Sequence, residues 1–141
     1  MRYAHLLVAV SVSPESHRLV AKAVSIARPF QARLSLITLM SDPEMYNHLA
    51  APMMENVREI LQEETQQFMS ELVSRAGYPV ENTIIASGEL SEHVQHTCRS
   101  QGVDLVIYGN HNQGFFSRAT CSAKTIVGSS GVDVLLVPLR E

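Results

Sequence analysis

A chain of 141 residues is one domain by length, and folding at that size buries about two-thirds of the unfolded surface, enough for a core without disulfide staples. The two cysteines, Cys98 and Cys121, form no CxxC pair and read as free thiols of a reducing compartment. A net charge of -3 with interspersed signs and no basic block argues against direct nucleic-acid binding; the opening apolar run is too short for a signal segment and no later stretch nears a membrane span, so a cytoplasmic protein without membrane contact is expected.

The run His5 to Val12 (HLLVAVSV) is apolar and branched, as in a strand buried on both faces. Ser13-Pro14 then reads as a helix start, with Ser13 as N-cap and Pro14 at the first helical position. Leu19, Val20, Ala23, Val24 and Ala27 recur on one face of that helix, and Pro29 is expected to end it after Arg28. Arg33 to Met40 (RLSLITLM) repeats the strand pattern. Ser41 to Pro52 carries prolines and no sustained period, which predicts an irregular surface connection. Met53 to Ala76 reads as a long helix with Val57, Ile60, Leu61, Glu64, Phe68 and Leu72 near helical spacing, closed by Gly77.

Asn82 to Ser87 (NTIIAS) predicts a short strand, and Gly88 turns the chain into a helix over Glu89 to Gln101. Ser91 is the expected N-cap, although no Glu follows at the third position and the start could lie earlier. Gly102 closes that helix. Val103 to Tyr108 (VDLVIY) is the next strand, Ser117 to Ser129 a fourth helix, and Val132 to Leu139 (VDVLLVPL) the last strand. Five strands alternating with four helices through short connections demand right-handed crossovers, hence an α/β fold with a parallel sheet covered by helices on both faces. Pro138 lacks an amide donor, so its strand belongs at an edge, a terminus or a partner.

The stretch most open to a ligand is Asp104 to Ala123, where an apolar run meets Gly109 and turns polar. In an open parallel sheet, ligands bind beyond the carboxyl ends of the strands where strand order reverses. A phosphate cradle needs amides converging on one point, which favours glycine. Here Gly109 is followed by Asn110, His111 and Asn112, whose side chains would fill the space of a triphosphate. Glu92, His93 and His96 share a predicted helix, but no further ligand converges on them, so they read as a solvated face and no metal is assigned. His111 has no nucleophile of the G-x-S-x-G kind beside it, and no catalytic residue is assigned.

The chain resembles the universal stress protein family along essentially its whole length. The matching stretches are LLVAV followed by SPES (Ser13 to Ser16), AVSIARPF (Ala23 to Phe30), GELSEHV (Gly88 to Val94), DLVIYGNH (Asp104 to His111) and VDVLLVPL (Val132 to Leu139). AGYPV (Ala76 to Val80) looks like the A-type branch. The resemblance implies a five-stranded parallel sheet of order 3-2-1-4-5, adenine-nucleotide alpha-hydrolase-like. ATP-binding members carry an acidic residue after the first strand and a G-x2-G-x9-G-[ST] motif; the corresponding positions here are Ser11, Gly109, Asn112, Ser122 and Ala123, of which only Gly109 is kept. The resemblance therefore implies a member that binds no ATP and needs no cofactor: a non-enzymatic stress-response protein linked to resistance against DNA damage, acting through an unidentified protein partner.

An apolar last strand at a sheet edge would leave backbone groups unpaired unless another chain covered it. In the family resembled, that strand joins two subunits. A homodimer through Val132, Val134, Leu135, Leu136, Val137, Pro138 and Leu139 is therefore expected, and related members of the family could pair with the same edge. A sensor of nucleotide or another small molecule using the Gly109 to Ser122 loop is the alternative.

Overall fold

Runs of branched apolar residues interrupted by left-handed turns set the architecture. The computed structural model of the chain describes residues 3–39, 51–87, 90–111 and 132–139. Along them follow β1 (His5–Val10), α1 (Ser16–Phe30), β2 (Arg33–Leu39), α2 (Ala51–Arg75), β3 (Asn82–Ala86), α3 (Leu90–Gln101), β4 (Leu105–His111) and β5 (Asp133–Leu139). The strands form one sheet of order β3-β2-β1-β4-β5, as anticipated. Every neighbouring pair is parallel. The helix expected over residues 117–129 and the irregular connection over residues 41–50 lie outside the described residues.

Alternation along each strand divides the core into two layers. Leu6, Val8 and Val10 of β1, Leu34 and Leu36 of β2, and Leu105 and Ile107 of β4 pack with Leu19, Val20, Ala23, Val24 and Ala27 of α1 and with Met69 and Leu72 of α2. On the other face Leu7, Ile37, Val106 and Tyr108 pack with Val94 and Cys98 of α3. Burial on both faces is why the central strands read as unbroken apolar runs. Each fully buried leucine contributes about 1.5–3 kcal/mol.

Several element boundaries differ from the sequence expectation. Helix α1 begins at Ser16 behind Glu15, which makes no side-chain cap bond. Ser13 and Pro14 instead form a turn, because the Ser13 amide donates to the Ser11 carbonyl at 2.9 Å and the two hydroxyls bond to each other at 3.0 Å. Pro29 does not end α1, which runs to Phe30. The stop comes from Gln31 in the left-handed region at φ 53, with the Gln31 amide donating to Arg28 and the Ala32 amide to Ala27, the paired bonds of a Schellman motif. A proline in the last turn removes only one helical bond. Pro52 lies inside α2 near its start, where a proline's missing amide would have no helical partner anyway. On α2, Ile60 is 54% exposed and Glu64 is exposed, whereas Thr65 and Met69 take the buried positions. Ser91 lies within α3 instead of capping it.

Strand β4 departs most. It continues through Gly109, Asn110 and His111, which pair in register with Val137, Pro138 and Leu139 of β5. A neighbouring strand supplies ladder partners, and these override the turn tendency of a lone glycine. Gly77 and Gly102 do end their helices, at φ 65 and 66.

The amino-end edge of the sheet is closed by polar groups. His5 is fully buried, with Nδ1 3.0 Å from the Gln101 carbonyl and Nε2 2.7 Å from the Ser35 hydroxyl. A carbonyl only accepts, so Nδ1 donates to Gln101, while Nε2 shares a hydrogen bond with the Ser35 hydroxyl. The Asp104 carboxylate accepts the Ala4 and His5 amides at 2.8 and 3.1 Å, and the Tyr3 hydroxyl donates to Asp133 at 2.8 Å.

Candidate functional site

Strand order reverses between β1 and β4: after β1 the chain builds outward through β2 and β3, then returns to β4 on the other side of β1. Their carboxyl ends form the candidate site. Ala9 is in register with Tyr108, so Ser11, just past β1, and the Gly109–His111 end of β4 lie at the same end of the sheet.

The β1–α1 turn holds a cluster of hydrogen-bonded hydroxyls. The Ser16 hydroxyl, buried, donates to the Ser11 carbonyl at 2.5 Å, and the Ser11 and Ser13 hydroxyls bond to each other. The amides of Ser16, His17, Arg18 and Leu19 donate to the carbonyls of Ser13, Pro14 and Glu15 at 3.1–3.2 Å. A helix start attracts an anion when its first amides point at it unpartnered. Here preceding carbonyls occupy them.

Beside this turn, Thr38 of β2 stands in register with Val10. Its hydroxyl is buried and has no hydrogen-bond partner among the described residues. Such an orphan costs about 1–3 kcal/mol. Sequence reasoning treated Thr38 as one more member of the strand alternation; a polar residue among Leu34 and Leu36 was the available signal.

Of the sequence-derived site positions, Ser11 and Gly109 are half-buried at the carboxyl edge, and Asn110 and His111 extend β4 beside β5. Asn112, Ser122 and Ala123 lie outside the described residues. Among the described residues no group of three or more His, Cys, Asp or Glu side chains could hold a metal. His93, weighed as a ligand, has Nε2 2.6 Å from the Ser87 carbonyl, which fastens the first turn of α3 to the end of β3.

β5 is an edge strand. Among the residues expected at a dimer contact, Leu135 and Val137 pack against the α1 layer, and Val132 and Val134 against the α3 layer. Leu136, 40% exposed, and Pro138, exposed, project from the edge region. The side chain of Leu139 lies outside the described residues. No helix among the described residues is long and apolar enough to cross a membrane.

Known proteins resemble this chain at every level. The model of the universal stress protein family matches residues 2–138. Universal stress protein C of Salmonella typhimurium is 65% identical over 139 residues, covering 99% of this chain and 98% of the relative. Its counterpart in Escherichia coli strain K12 is 63% identical with the same coverage. Universal stress protein A of Yersinia pestis is 39% identical, covering 100% and 95%. Among solved structures, universal stress protein UspA from Lactobacillus plantarum superposes with a TM-score of 0.76 at 18% identity, covering 97% of this chain and 99% of that one. The universal stress protein from Archaeoglobus fulgidus in complex with dAMP reaches 0.63 at 15% identity, covering 97% and 99%.

Proposed function

The chain belongs to the universal stress protein family and has that family's stress-response role, and we propose that it fills this role in the cytoplasm as a non-enzymatic dimer that contacts another protein and binds no ATP. On this reading it contributes to resistance against DNA-damaging conditions. The observation that carries the reading is the turn after β1, where the Ser11 and Ser13 hydroxyls bond to each other, the Ser16 hydroxyl donates to the Ser11 carbonyl, and the first amides of α1 are taken by preceding carbonyls. Asn110 and His111, drawn into the ladder with β5, support it, since strand pairing holds that backbone away from a converging cradle.

Isothermal calorimetry tests it. ATP at about millimolar concentration, three decades above the micromolar affinity of a committed site, should give no saturable heat. Saturation in the micromolar range overturns the reading.

One observation favours a second reading, a small-molecule sensor at the same edge. The orphan hydroxyl of Thr38 would gain a partner from a ligand bearing a polar group. A structural relative is known in complex with dAMP. A ligand retained through purification, raising the melting temperature on re-addition, would support that reading.

A further inference from the structure

The opposite edge of the sheet presents a second surface. Among the described strands β3 pairs with β2 alone, so along its outer side alternate residues carry backbone donors and acceptors that no described strand matches. Its sequence, NTIIA, contains no lysine, proline or other charge, the residues by which edges commonly discourage a further strand. On the face covered by α2, an open groove of about 870 Å³ runs between the helix and this edge. Met69, Val73, Val80 and Ile85 give it an apolar floor, and Gln66 and Ser70 line its helical wall.

The wall is acidic. From residue 59 to residue 74, α2 carries Glu59, Glu63, Glu64 and Glu71 and no lysine or arginine. At 100° per residue, Glu59 and Glu63 share the helical face of Gln66 and Ser70, and both are exposed. Glu81, also at the groove, is held by Arg33 at 3.3 Å.

We propose that this edge accepts an extended basic segment of a partner protein as a sixth strand beside β3, with lysine or arginine side chains turned toward α2. Main-chain bonds to the open edge hold the segment, its methylene stems cover the apolar floor, and its cationic heads reach Glu59 and Glu63. A second copy of this chain fits less well: pairing β3 with β3 about a two-fold axis would set two acidic α2 helices side by side on one face.

Fluorescence anisotropy with a short labelled peptide alternating lysine and threonine tests the proposal on the full chain. The peptide should bind saturably, and its glutamate-for-lysine counterpart should not. Two further versions carry N-methyl groups on all lysine amides or on all threonine amides. Because alternate amides of a strand point to opposite sides, one version should keep its affinity and the other lose about tenfold or more. Ser70→Trp, which fills the groove from an exposed helical position, should weaken the parent peptide about tenfold with circular dichroism and melting unchanged. Absence of saturable binding to the folded protein, equal affinity of both N-methylated peptides, or indifference to Ser70→Trp overturns the proposal.

Discussion

Two side chains carry more information than their positions in strand and helix suggest. Thr38 buries a hydroxyl that no described residue satisfies, so Thr38→Val should stabilise the free protein by about 1 kcal/mol, the desolvation cost of the lost group. Urea unfolding measures it, and a destabilised variant would mean that the hydroxyl is satisfied in solution. Cys98 sits against α3's core layer, and burial raises its thiol to about 11 from 9.0. The folded protein therefore holds its proton between those values while the unfolded chain has lost it, so this contribution to stability is complete below pH 9 and declines as pH rises toward 11. Cys98→Ala should flatten that decline in denaturation curves taken across the range. Iodoacetamide at neutral pH should modify Cys98 only on unfolding, as peptide mapping would reveal.

At the scale of elements, helix ends separate what the sequence discloses from what it conceals. Gly77 and Gly102 announce their left-handed turns, because glycine adopts positive φ without steric cost. Open space surrounds a Cβ added at Gly102, yet φ +66 strains any L side chain. Gly102→Ala should accordingly cost about 1–2 kcal/mol, and Gly102→Asn less; equal effects would place the cost elsewhere. Gln31 makes the same turn unannounced, which is why Pro29 was read as the stop. The strands were legible from their apolar runs, and their order came from the family resemblance. The end of β4 was not, since Gly109 signals a turn while pairing with β5 is a distant fact. At the candidate site, Ser11 and Gly109 could be named from sequence. The bonding within the serine turn could not, because it depends on which hydroxyl faces which carbonyl. Nor could the β3 groove, formed by residues of α2 and β3 that only the fold brings together.

For the whole molecule, the sheet has two free edges with different chemistry. β5 carries Pro138 next to its last residue and exposes Leu136, which suits a hydrophobic contact with an identical strand. Leu136→Asp places a charge there and should convert the proposed dimer to monomer in multi-angle light scattering. A parent protein that is already monomeric, or a variant that remains dimeric, would remove β5 from the interface. β3 would stay available in such a dimer, so subunit pairing and peptide capture need not compete.

The polar closure around His5 bears on how the chain is made. β1 leaves the ribosome ahead of the other strands of its sheet, yet its edge is completed by groups that emerge far later: Gln101 lies 96 residues on, Asp104 about as far, and Asp133, partner of Tyr3, 130 residues on. Until then the Ala4 and His5 amides and Nδ1 of the His5 imidazole lack their native partners, and β1 has an unfinished border. β1 precedes the other strands of its sheet yet is among the last to be sealed, and a nascent chain arrested before β4 would present that border to chaperones.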